Sequence, residues 1–286
     1  MGSGIDPKVD YAFKRVYGRD ENRDVLASVL EAVLAGTEFG TITDLEIRNP
    51  FNDRNTANDK LSIVDVRARQ KSGELFNVEM QLLPFKEPPK RLLYYWSVSY
   101  AEQLDKGKSY PELKPTILIC FADHVVFPGR TDWHTRFRIV DGEGRVLCPD
   151  LEIHILELPK FPADPKMVVT PLEQWLFFLR KAEEIDSDHV PPCLTLPAIH
   201  KAIEELHMIS LSEADHELYL DRRKFWLDEQ SRREEGFLSG VAVGRIQSLQ
   251  SQLGLEETPV KELDALAMDD LRRLEAELKA KLANRS

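Results

Sequence analysis

Two carboxylates and an amide stand out between Leu61 and Leu82: Asp65, Glu79 and Gln81. The stretch alternates with a period of two on either side of Lys71-Ser72-Gly73, the pattern of two strands around a tight turn. On the first strand Leu61, Ile63, Asp65, Arg67 and Arg69 share a face. On the second Leu75, Asn77, Glu79 and Gln81 do. The register decides whether the carboxylates meet. A three-residue loop with Gly73 in the left-handed position pairs Gln70 with Glu74, which sets Asp65 directly opposite Glu79. A two-residue Ser72-Gly73 loop would slip the pairing by one and send them to opposite faces. The three-residue loop is the expectation. Carboxylates about 5 Å apart at Cβ repel each other. A cation between them removes the repulsion, and oxygen donors favour Mg²⁺ or Mn²⁺. Gln81, on the same face, can orient a water through its amide. An exposed hairpin whose charges are merely solvated would show the same pattern.

The flanking elements must position that hairpin. Asp6-Pro7 opens as an N-cap followed by proline, predicting a helix that ends at Gly18. Asp10 and Lys14 lie one turn apart on it. They read either as a surface ion pair worth about 0.2–0.5 kcal/mol or as a third acidic group brought over the hairpin. A second helix runs from about Asn22 to Leu34, with Val25, Leu26, Val29, Leu30, Val33 and Leu34 as core and Gly36 beyond its end. Thr41 to Arg48 alternates as a strand with Thr43, Leu45 and Ile47 inward, and residues 51–59 read as a polar loop. Pro88-Pro89 starts a helix to about Lys106. Leu93, Trp96, Tyr100 and Leu104 are expected to face the core, with Arg91, Tyr95 and Glu102 on a neighbouring stripe. Lys86, Lys90 and Arg91 near its start suit a phosphate backbone.

Leu113 to Ala122 is a continuous apolar run of strand length, hence a central strand buried on both faces. A hairpin over 135–148 and a strand over 151–158 extend the sheet. From about Pro159 everything reads as helix: 172–184, 196–207 and 213 to about 233, the last with a capping box at Ser212. His200, His207 and His216 lack metal-site spacing. Gly236, Gly240 and Gly244 would form, if helical, a small-residue ridge for a second helix. The leucines from Leu249 to Leu282, Leu255 and Leu266 among them, read as an amphipathic tail suited to self-association.

At 286 residues, with 42% hydrophobic and 30% charged residues, the chain is long enough for a full core. No apolar run reaches the ~20 residues of a membrane helix, and the amino terminus lacks the apolar region of a signal peptide. The three cysteines, Cys120, Cys148 and Cys193, are far apart, which argues against a disulfide framework or thiolate metal site and fits a reducing cytoplasm. The net charge of −11 argues against coating nucleic acid by bulk electrostatics. It is compatible with a nuclease whose basic contacts are confined to one cleft.

Residues 6–18 (DPKVDYAFKRVYG), 63–68 (IVDVRA), 77–81 (NVEMQ), 91–104 (RLLYYWSVSYAEQL) and 107–119 (GKSYPELKPTILI) together resemble the Rpn family of recombination-promoting nucleases, also called transposases, of the PD-(D/E)XK nuclease superfamily. The match is in order, at the family's spacing, over residues 5 to 160. The resemblance implies an α/β fold: a restriction-endonuclease-like core with a mixed central sheet flanked by helices, followed by an all-helical C-terminal region. The domains expected are a nuclease core over 5–160, a helical extension over 161–233 and a leucine-rich tail over 234–286. The superfamily's metal-binding Asp falls on Asp65 and its ExK motif on Glu79-Met80-Gln81, with Gln in place of Lys. The acidic residue of its first helix falls less directly on Asp10. The implied function is a Mg²⁺-dependent DNA endonuclease, with Mn²⁺ as a substitute, acting in recombination or defence against foreign DNA. Asp65 and Glu79 would hold metal and Gln81 would orient water. Lys14, Arg91 or Lys60 would supply the cation missing at position 81. A homodimer is expected, and no membrane partner. Two readings compete: a catalytically silent DNA-binding or protein-interaction scaffold of the same fold, and cleavage of RNA.

Overall fold

The computed structural model describes residues 2–48, 65–84, 87–104 and 109–284. The expected loop over 51–59, the start of the first hairpin strand (61–64) and the residues Lys60, Lys86 and Lys106 lie outside them. The chain divides into two compact units, Met1–Arg222 and Arg223–Ser286.

In the first unit a six-stranded mixed sheet has the order β1-β2-β3-β4-β6-β5. Its strands are β1 (Glu46–Ile47), β2 (Val66–Arg69), β3 (Leu75–Gln81), β4 (Thr116–Ala122), β5 (His134–Phe137) and β6 (Leu151–Glu157). β3, β4 and β6 run parallel, while β1–β2, β2–β3 and β5–β6 pair antiparallel. The apolar run expected at the centre is β4, whose seven residues are all buried. Strands buried on both faces need helices on both, and the sequence supplies them. On one face Val66, Phe76, Val78, Ile117, Ile119 and Phe121 join a core with α1 (Asp10–Tyr17), α2 (Arg23–Leu34), α4 (Pro171–Lys181) and α5 (Pro197–Leu211). On the other, Leu118, Cys120, Ala122, Leu151, Ile153 and Ile155 pack with Leu92 of α3 (Pro88–Ala101). α4 and α5 thus share the core of the sheet: Trp175 is fully buried, lies with its ring tilted against Tyr17 at 5.8 Å and donates to Ser28 Oγ.

Several local expectations are corrected. α1 starts at Asp10, not at Pro7: Asp6 Oδ1 accepts the Lys8 N–H and the Asp6 N–H donates to the Tyr219 hydroxyl, a tertiary tie that holds these residues outside the helix. The strand expected over 41–48 is two residues long. Asp44 takes φ of 49° and Thr43 is exposed, while Leu45 and Ile47 are buried as expected. α3 buries Leu92 and Ser99 and leaves Leu93 50% exposed, a rotation of about one residue that turns Arg91 and Tyr95 toward the sheet. The hairpin after β5 is reduced to a Val140–Val146 bridge around Gly144.

α6 (Glu213–Gln252) is one helix of 40 residues that begins in the first unit and continues into the second, so its three glycines do not end it. Ala242, Val243, Ile246, Leu249 and Leu253 pack with Leu263 of α7 (Val260–Leu263) and with Leu271 and Leu278 of α8 (Met268–Ala283). Leu255 and Leu266, assigned to the same apolar face from sequence, are 46% and 41% exposed. No helix among the described residues is long and apolar enough to cross a membrane.

Candidate active site

The hairpin takes the register that a three-residue loop dictates. Gly73, at φ 117°, donates its N–H to Gln70 O, and the Gln70 N–H donates to Glu74 O at 3.0 Å. Val66 faces Val78 and Arg67 faces Asn77, so one further step sets Asp65 across from Glu79. The Asp65 carboxylate reaches over the pair to accept the Met80 N–H at 2.8 Å. In the parallel ladder Glu79 lies beside Cys120 and Gln81 beside Ala122, which places both on the α3 face of the sheet.

Side chains from four segments share the field there. Asp65 is pushed up to about 7, first by burial and then by the Asp10 carboxylate; the Met80 N–H, Lys14 and Arg91 oppose this. Glu79 is 5% exposed and is also raised well above its ordinary range, by burial and then by the Asp65 charge. Arg91, a hydrogen bond from the Asp65 backbone and Lys14 hold it down. The Arg91 guanidinium lies 5.0 Å from the centre of the Tyr95 ring. Lys14 Nζ sits 3.0 Å from Asp10 Oδ1; the Lys14 side chain is 11% exposed and that of Asp10 42%, so the pair spans the edge of the site. The structure therefore brings Asp10, Lys14, Asp65, Glu79 and Arg91 into one electrostatic neighbourhood. Lys60, the other candidate cation, is outside the described residues.

Gln81 is 2% exposed, and among the described residues neither atom of its amide has a hydrogen-bond partner; the same holds for Glu79 Oε1. Buried polar atoms without partners are uncommon, and here they line up on one strand face. Their donor set suits a hard divalent cation and its water: two carboxylates and an amide oxygen, with no soft ligand. Among the described residues no group of three or more His, Cys, Asp or Glu side chains could hold a metal. Asp10, paired with Lys14, raises Asp65 through its charge. Sequence reading gave no role to Asn77, on the same face and fully buried with both amide atoms unpartnered. Nor did it give one to Cys120, whose thiol is pushed up by burial and then by Glu79 and Asp65. The period of two marks the face of Asn77; nothing local marks Cys120, which only the parallel ladder places.

A mixed sheet with helices on both faces and an acidic pair at one end of its middle strands is the restriction-endonuclease-like α/β architecture. The model for the PD-(D/E)XK nuclease family transposase matches residues 7–236, and the chain belongs to that family. The match supports a nuclease or transposase role. No curated protein and no solved structure matches the chain.

Proposed function

We propose that the protein is a metal-dependent DNA endonuclease that hydrolyses phosphodiester bonds at the Asp65–Glu79 pair, in recombination or in defence against foreign DNA. The observation that carries this is the carboxylate pair, Glu79 buried and Asp65 half-buried, with a Gln81 amide on the same face that has no partner among the described residues. Asp65 and Glu79 would hold Mg²⁺, or Mn²⁺ in its place. The bound ion supplies a water of lowered pKa and takes up charge on the phosphate. Gln81 is neither cation nor base, and its role is to orient water or a phosphate oxygen. Arg91, held against Tyr95 and facing both carboxylates, replaces the positive charge of the superfamily Lys, with Lys14 behind it. Asp10 keeps Lys14 in place and raises the proton affinity of Asp65 when no metal is present. Such a protein would work in the cytoplasm.

Replacing Gln81 by Leu is expected to lower cleavage about 10–100-fold while leaving stability unchanged or higher. Among the described residues the amide atoms removed have no partner to leave unsatisfied. Parallel kinetics and urea unfolding measure the two effects, and a joint loss of both would contradict the assignment.

A homodimer fits the tail. Among the described residues, no atom outside the local helix backbone lies within 4 Å of where a Cβ would stand on Gly236, Gly240 or Gly244, and Phe237 is 72% exposed. A second copy of α6 would cover this surface. Light scattering at micromolar concentration should give twice the chain mass, and a monomer would refute the dimer. The reading as a silent DNA-binding scaffold is favoured by one observation, the amide of Gln81 where the superfamily carries an ammonium. DNA that is shifted on a gel but never cut would select it.

A further inference from the structure

α1 presents two columns of side chains to two different neighbours. Asp10 and Lys14 bear on the carboxylate pair, while Tyr11 and Arg15, one residue on, point to the first turn of α6. Both of the latter end on a single carboxylate. The Tyr11 hydroxyl donates to Asp215 Oδ1 at 2.7 Å, and Arg15 Nη1 donates to Asp215 Oδ2 at 3.0 Å. Arg15 Nε also reaches Glu205 Oε2 of α5 at 3.4 Å. One turn along α6, the Tyr219 hydroxyl accepts the Asp6 N–H at 2.9 Å, just ahead of α1. The junction is largely buried: Tyr219 is fully buried, Tyr11 is 2% exposed and Arg15 8%, while the Asp215 side chain is 16% exposed. The sequence pattern assigns Asp215 to a capping box. Its N–H does donate to Ser212 Oγ, at 3.3 Å, but its carboxylate turns to α1 instead of back to the cap. Two bonds from one carboxylate to successive turns of a helix fix its rotation, where a single bond would leave a pivot.

We propose that Asp215 is a positioning residue for the reaction. By gripping Tyr11 and Arg15 it sets the rotation of α1, and so the placement of Asp10 and Lys14 beside Asp65 and Glu79. This rests on the nuclease reading above. A rotation that moves charged groups by about 1 Å is enough to slow a positioned reaction as much as 10²-fold. The side chains gripped and the side chains placed alternate along the same two turns, so the clamp cannot loosen without moving them.

The test is steady-state plasmid cleavage by the full chain, as wild type, Asp215→Asn, Asp10→Asn and the double variant. Asp215→Asn is expected to lower kcat about tenfold with KM within about twofold. In the Asp10→Asn background the same change should cost less than about twofold, because both act through one helix. Tyr11→Phe removes one of the two bonds and keeps the ring. It should show a smaller loss of the same kind even if Asp215→Asn folds poorly. Equal losses in both backgrounds, or Asp215→Asn and Tyr11→Phe variants that cleave like wild type, would overturn the proposal alone. A wild type that cuts nothing under any divalent metal would overturn the nuclease reading, and this inference with it.

Discussion

Replacing Glu79 by Gln, or Asp65 by Asn, is expected to reduce DNA cleavage by about 10³-fold or more, with the fold intact. The carboxylates face each other across the hairpin, and the variants keep their shape. What they would lose is the charge proposed to hold a divalent ion, worth several kcal/mol of transition-state stabilisation, where about 1.4 kcal/mol is a factor of ten in rate. Single-turnover nicking at saturating Mg²⁺ measures this, beside circular dichroism to confirm the fold. Activity within tenfold of wild type in either variant would move the active site away from the hairpin.

The same substitutions are expected to make the metal-free protein more stable at alkaline pH. An unfolded aspartate titrates near 3.9, whereas Asp65 in the fold is pushed up to about 7 by burial and by Asp10. Between those values the native chain keeps a proton that the unfolded chain has released. The stability linked to that proton is fully present below about pH 4 and is lost as pH rises through about 7. Each unit of difference corresponds to about 1.4 kcal/mol. In EDTA, wild-type stability should therefore fall between pH 5 and pH 8, while Asp65→Asn shows a shallower slope and is more stable at pH 8 by about 1–2 kcal/mol. Adding Mg²⁺ at pH 8 should restore the wild type and leave the variant unmoved, since only a ligand bound to the native state stabilises it. Urea unfolding at the two pH values provides the measurement. Equal slopes for the two proteins would mean that Asp65 is not under strain. On this account the site is held at a cost to the fold, as is common where function needs buried charge.

The centre of the sheet and the hairpin register were legible in the sequence because both depend on local rules. An uninterrupted apolar run at 116–122 has no stable place except between two layers of helices, and the three residues of Lys71-Ser72-Gly73 permit one pairing. The shared face of the two carboxylates followed from period two together with that pairing. The misreadings arose where distant residues intervene. The first helix begins late because Tyr219, more than two hundred positions away, binds the Asp6 amide. On α3 Trp96 packs on the sheet as expected, but Leu93 does not, although it outranks Arg91 on any scale of hydrophobicity; the acidic pair beneath attracts Arg91, and Tyr95 packs beside Trp96 on the apolar cluster. Cys120 beside Glu79, and Asp215 beneath Tyr11 and Arg15, are products of strand order and helix packing that no window of sequence contains.

The central claim is tested most directly by incubating wild-type protein with supercoiled plasmid in Mg²⁺, in Mn²⁺ and in EDTA, with Asp65→Ala and Glu79→Ala alongside. The account predicts nicked and linear DNA with either metal, none in EDTA and none from either variant. Wild-type protein that retards the plasmid on a gel in Mg²⁺ and Mn²⁺ yet leaves it supercoiled would contradict the account, and would make the chain a DNA-binding scaffold built on a nuclease fold.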